Sequence, residues 1–233
     1  MRSHIIAILM TFIFSAGITS NAAPRPTVIE LFTSQGCSSC PPADALLSEL
    51  SSRPDVLALA FHVDYWDSLG WHDRFALPLS TQRQQRYASA LRLGNIFTPQ
   101  LIIDGQLSRV GSNRSSILGV VKQPRSGIPV HTSVINSRLH VQLDGAPDTP
   151  YDVLIVAYLP QSLTSIGRGE NAGRKLKETN IVRDLRVLGR WDADNNRFSM
   201  DMTSLSTEAT RAAVLLQQPD QGPIVGATII SLR

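Results

Sequence analysis

The chain has 233 residues, 42% hydrophobic and 18% charged, with a formal net charge of +3. That composition suits a globular body with a sizeable core and excludes a chain too polar to fold. So small a charge gives no ground for nucleic-acid or membrane-surface binding.

The N-terminus reads as a targeting segment. Arg2 and His4 open it, residues 5–18 are almost entirely apolar, and Ser20-Asn21-Ala22 is a small-x-small cleavage pattern, with Ala23 a second choice. This predicts a secretory signal peptide over residues 1–23, cleaved near Ala22 or Ala23, and a periplasmic or secreted protein. Its apolar run is too short for a membrane span. No other long apolar run follows, so the mature chain of about 210 residues is expected to lack one.

In the first half, strand-like and helix-like segments alternate. Residues 27–33 and 56–63 read as buried strands. Residues 44–52 read as a helix with Ala45, Leu46, Leu47 and Leu50 on its apolar side. Residues 80–91 read as a polar, exposed helix capped by Ser80 or Thr81. Asp104-Gly105 is a hairpin signal between Leu101–Ile103 and Leu107–Val110, and residues 112–121 form a last helix. A Pro- and Gly-rich stretch, residues 123–129, is a plausible joint. Beyond it nearly every segment reads as a strand: 132–135 and 139–143 around Asn136-Ser137, then 151–158, 180–188, 197–202, 212–217 and 224–230. These patterns predict an α/β domain over 24–124, followed by an all-β, antiparallel sandwich-like part over 125–233.

The chemistry centres on Cys37-Ser38-Ser39-Cys40, the only two cysteines of the chain. Two thiols at this spacing ahead of a helix can close a small, easily reversed disulfide. The helix N-terminus stabilises the Cys37 thiolate, which makes it the attacking group. Two alternatives stand beside this reading. A C-x-x-C can be half of a zinc site, although no second Cys/His pair accompanies it. It can also be a plain structural bridge, although so small a loop constrains the unfolded chain little.

The stretches VIELFTSQGCSSCPPAD, HVDYWDSLGW, TPQLIIDG and GENAGRKLKETNIVRDLRVLG resemble a family of exported bacterial proteins of unknown function with a thioredoxin-like domain. The resemblance implies that fold for the first half. The wider resemblance to thioredoxins implies Cys37 as the exposed attacking thiol and Cys40 as the buried resolving thiol. It implies a cis proline at Pro99, with the Thr98 backbone placed beside Cys37. It also suggests that Glu30, an acid within an apolar strand, serves as a buried base. The alternative for Glu30 is a rim acid held by an arginine or water. Ser38-Ser39 between the cysteines and Gly36 before them depart from the thioredoxin pattern.

The long segment between Cys40 and Pro99 contains Asp64, Tyr65, Trp66 and Trp71. They read as a wall of a substrate pocket over Cys37, or as a locally packed loop. Cys37, Cys40 and His62 are the ligand set of an alternative copper- or metal-handling reading, since soft thiolates suit Cu(I). The loop Gly169–Arg174, with Arg168, Lys175 and Lys177, reads as an anion or partner site or as a solvated connection. The expected function is thiol–disulfide exchange on a protein or small thiol, with a redox-recycling partner and no cofactor. A partner-binding module with an ancillary disulfide is the third reading.

Overall fold

A computed structural model describes residues 22–232. The segment read as a signal peptide lies outside them up to residue 21. In chain order the elements are β1 (Ala23–Arg25), β2 (Thr27–Thr33), α1 (Pro41–Leu50), β3 (Val56–His62), α2 (Pro78–Ala90), β4 (Gln100–Ile103), β5 (Leu107–Val110) and α3 (Arg114–Val121). There follow β6 (Arg125–Gly127), β7 (His131–Ile135), β8 (Arg138–Gln142), β9 (Tyr151–Ser165), β10 (Lys175–Trp191), β11 (Arg197–Asp201), β12 (Arg211–Gln217) and β13 (Ile224–Ser231).

The expected architecture, an α/β thioredoxin-like domain followed by a separate all-β part, is corrected by the sheet. One eight-stranded sheet in the order β13-β12-β9-β10-β3-β2-β4-β5 runs through both halves of the chain. The described chain is mostly β, 43% strand against 16% helix. The halves join where β10 runs parallel to β3, with Ile181 opposite Ala60 and the Asn180 side chain donating to the Ala58 carbonyl at 2.8 Å.

The physical reason is two-sided burial. In β9, Val153, Ile155 and Ala157 enter one core, while Leu154, Val156 and Tyr158 enter another. β12 divides likewise, with Ala212, Val214 and Leu216 against Ala213 and Leu215. Strands apolar on both faces belong in the middle of a covered sheet, not on the half-wet face of a small sandwich. The core of Leu154 and Leu215 is continuous with Val28, Phe32, Leu57 and Phe61 of β2 and β3, under Tyr87 of α2. On the opposite face, α1 and α3 cover Ile29, Leu31, Ala58 and Ile103. A three-stranded sheet, β11-β8-β7, covers β9 and β12 there through Leu139, Val141 and Phe198.

The turns read from the sequence are present. Asp104 (φ 51°) and Gly105 (φ 68°) turn β4 into β5, and Asn136 and Ser137 (φ 49° and 59°) turn β7 into β8. Asp104 also accepts from Arg25 and Arg125, each at 2.7 Å, and so ties β1 and β6 to the sheet. The helix read over 80–91 begins earlier, with Pro78 in its first turn and Leu77 as its cap residue. Its polar residues are not all exposed: Ser80, Arg83 and Gln84 are buried. Among the described residues, no helix is long and apolar enough to cross a membrane.

Candidate functional site

β2 delivers the chain to the turn Ser34–Gly36, and Cys37 follows with its N–H on the Ser34 carbonyl at 3.2 Å. Cys40 is the cap residue of α1, and its carbonyl accepts from Ala43 N–H and Asp44 N–H at 2.8 and 3.1 Å. Pro41 and Pro42 suit a first turn in which N–H groups lack intrahelical partners. Cys37 and Cys40 are joined as a disulfide, with Cα atoms 5.4 Å apart. Both cysteines are 0% exposed, so the expected exposure of Cys37 is corrected: the loops around the turn cover it, although Ser38 and Ser39 between the cysteines are open to solvent. The Ser39 hydroxyl lies 3.4 Å from Cys37 Sγ.

Three loops close around this turn. Trp66 lies against Gly36, where an added Cβ would stand 3.1 Å from Trp66 Cβ. Its indole N–H donates to Thr98 Oγ1 at 2.8 Å. The Thr98–Pro99 peptide is cis. Pro99, Leu31 and Ala43 of the first turn of α1 converge on Gly111, where a Cβ would lie 2.8–3.1 Å from all three. A side chain at 111 would therefore push the proline loop away from α1. Asp64 exchanges hydrogen bonds with Thr81, and the Tyr65 hydroxyl donates to Gln84 at 3.3 Å, so α2 holds this wall. Trp71 donates to Gln35 Oε1 at 2.9 Å and packs beside Gly169.

The third loop comes from the second half. β9 and β10 extend past their neighbours as a two-stranded arm whose tip, residues 166–174, covers the cysteine turn. Asn171, fully buried, donates to the carbonyls of Gln35 and Cys37, both at 2.9 Å. Glu170 accepts from Ser38 N–H at 3.1 Å. Gly169 and Gly173 take φ of +74° and +79°, a backbone region that costs glycine nothing and allows the tight tip.

Beneath the turn lies a buried charged network. His62 Nδ1 stands 2.7 Å from Asp73 Oδ2, which also accepts from Gln35 N–H at 2.8 Å. Gln35 and Thr164 both donate to Glu178, at 2.8 and 2.9 Å. His62 Nε2 is buried without a hydrogen-bond partner, 3.9 Å from Glu178 Oε1. Burial works against the charged imidazole, but Asp73, Glu178 and Asp44 more than offset it and raise its pKa to about 9. Asp44, half-buried one turn beyond Cys40, accepts from Thr33 at 2.8 Å. Burial pushes its carboxyl up to about 7 against the opposing pull of His62.

The structure thus brings Cys37, Cys40, Thr98, Pro99, Trp66 and Trp71 together. It does not bring Glu30 to them. Glu30 alternates with Ile29 and Leu31 along β2 and so faces α2, while the cysteine helix lies on the other face. There Arg83 donates to it at 2.7 and 3.1 Å, and Tyr87 donates as well. Nor does His62 join the sulfurs as a ligand set. It is engaged by Asp73, and the described residues hold no group of three or more His, Cys, Asp or Glu side chains arranged to bind a metal ion. Sequence reasoning missed Gln35, Asp44, Asn171 and Glu178 as parts of one site. The available signal was Glu178, an acid set within Leu176–Val182 of a β-rich half.

A crystal structure of a protein from Agrobacterium tumefaciens is similar over 91% of this chain and 96% of its own, with 29% identity and a TM-score of 0.77. HBP35 of Porphyromonas gingivalis is similar in fold alone: 13% identity and a TM-score of 0.57, over 89% of this chain and 75% of its own. No curated protein matches the chain. The model of the family described as "Protein of unknown function (DUF1223)" matches residues 28–217, so the chain belongs to that family.

Proposed function

We propose that this protein is an exported thiol–disulfide oxidoreductase working through Cys37 and Cys40 on a protein or small thiol, with a redox-recycling partner. The observation that carries this reading is the Cys37–Cys40 disulfide at the N-terminus of α1. There, the positive end of the helix dipole favours a thiolate over a thiol. The resemblance of this turn, with Thr98-Pro99 packed beside it, to thioredoxin-type sites adds support.

In the reducing direction, the Cys37 thiolate attacks one sulfur of a substrate disulfide. That bond breaks, the far sulfur leaves as a thiolate, and Cys37 holds the near one. Cys40, having lost its proton, attacks Cys37 Sγ and releases the second substrate thiolate, leaving the protein disulfide. The reverse sequence oxidises a substrate dithiol. Asp44 is the group suited to take the Cys40 proton, because it lies one helical turn away and titrates near neutrality. Since neither cysteine is exposed, the arm tip held by Asn171 and Glu170 has to yield before a substrate sulfur can reach them.

Cys40→Ser should accumulate a covalent mixed disulfide with substrate that dithiothreitol releases. Cys37→Ser should form none, and both should lose turnover. The measurement is mass spectrometry of alkylated adducts with a disulfide-exchange assay. Full activity in both variants would overturn the reading and favour a partner-binding module with an ancillary bridge.

A further inference from the structure

The rim of the cysteine turn carries unbalanced charge. Arg168, Arg174, Lys175 and Lys177 are all exposed. Among the described residues, none of the four has a carboxylate partner; Arg174 donates to Asn171 Oδ1. Of the acids at hand, exposed Glu170 offsets one of the four charges. Glu178 is buried and bonded within the network, and burial keeps Asp44 protonated up to about neutrality.

Two observations say what the unbalanced charge would hold. The amide of Ser38, between the cysteines, already carries a carboxylate, that of exposed Glu170. Bonding to Ser38 holds that carboxyl below its ordinary range. A cleft of about 300 Å³ runs along the first turns of α1, lined by Pro41, Asp44, Ala45, Ser48, Lys175 and Lys177 among others. Lys175 and Lys177 alternate with buried Leu176 on β10, so both ammonium groups stand on the outer face of that strand.

We infer that the dithiol acts on a thiol or disulfide bearing a carboxylate close to its sulfur, with Lys175 and Lys177 as the counter-charges and Glu170 as an internal competitor. This rests on the thiol–disulfide reading above. A substrate carboxylate gains the two lysines and displaces Glu170 from Ser38, which removes one of the contacts that hold the arm tip and leaves those of Asn171. A neutral substrate gains neither, and a cationic one is repelled.

The test is the rate at which three small thiols reduce the oxidised mature protein: mercaptoacetate, 2-mercaptoethanol and cysteamine. Each variant's rate is divided by the wild-type rate for the same thiol, so intrinsic thiol reactivity cancels. Lys175→Ala/Lys177→Ala should slow mercaptoacetate by about fivefold at low ionic strength, leave mercaptoethanol within about twofold and speed cysteamine. Glu170→Gln should speed mercaptoacetate above the neutral thiol. Arg138→Ala/Arg197→Ala, which removes the same charge from the distant three-stranded sheet, should leave the ranking alone. Equal factors for all three thiols, or a preference insensitive to salt, would overturn the inference, as would a disulfide that none of them reduces. A flat ranking with successful trapping in Cys40→Ser would sink the carboxylate subsite alone. A ranked response without trapping or turnover would sink the enzyme and leave the subsite standing.

Discussion

Glu30→Ala is expected to cost about 3–5 kcal/mol of stability, because it strands a buried guanidinium. Arg83 is 1% exposed, and its other partners, Tyr87 and Gln217, are neutral. With its guanidinium buried, the desolvation of Arg83 then lacks a charged partner to offset it. Replacing the pair together, Glu30→Leu with Arg83→Met, should recover most of that loss, since a buried ion pair and an apolar filling of similar volume differ little. Urea midpoints of the oxidised protein measure both. The Glu30 change should also leave the chemistry of Cys37 and Cys40 untouched, because Glu30 faces α2 across the sheet from α1. A loss under about 1 kcal/mol would contradict the account of this pair.

Stability should fall as pH rises from about 4 to about 9, and two groups, half-buried Asp44 and buried His62, set the two limbs. The Asp44 carboxyl has its pKa raised by burial from 3.8 to about 7. The folded state keeps that proton where the unfolded chain has released it, so stability declines as pH rises through that window. His62 is raised from 6.5 to about 9, the attraction of Asp73 and its neighbours exceeding the effect of burial. Its contribution is complete below 6.5 and is lost as pH rises through 9, at most about 3 kcal/mol. Glu178, raised by burial, acts in the direction of Asp44. Asp73 is held below its ordinary range by His62 despite burial, and it stabilises the fold above that range. Asp44→Asn should flatten the limb below pH 7. His62→Gln should flatten the limb above it while lowering stability at pH 6. Denaturant midpoints at fixed ionic strength read both effects, and stability that is level or rising from pH 6.5 to 9 would contradict them.

Local structure was legible where one residue type decides it. Asp104-Gly105 and Asn136-Ser137 adopt the positive φ their turns need, and the apolar runs of β2 and β3 form parallel neighbours. What failed was the step from strands to sheet. Leu154-Ile155-Val156-Ala157 was readable as a strand, but its unbroken apolarity was also the mark of burial on both faces, which pulls it into the first-half sheet. The polar string of α2 read as solvated, because nothing local reveals that Arg83 meets Glu30, 53 residues earlier.

The cysteine pair and the aromatic loop were likewise legible, since spacing and composition mark them. The arm was not. Beyond Tyr158, β9 contains Pro160 and alternates half-exposed with exposed residues, and among the described strands it pairs there with β10 alone. Asn171 reaches Cys37 across 134 positions, a contact no local pattern encodes. Glu30 was the natural candidate for a buried base by its place in the chain, yet strand alternation turns it to the wrong face and leaves Asp44 beside the dithiol.

The central claim is that Cys37–Cys40 is a working redox pair. Equilibrating the protein in a graded series of glutathione and dithiothreitol buffers, then alkylating free thiols and weighing the products, tests it directly. A single two-electron transition between about −120 and about −270 mV is the predicted result. A bridge that stays closed below about −300 mV would mark it as structural and contradict the account.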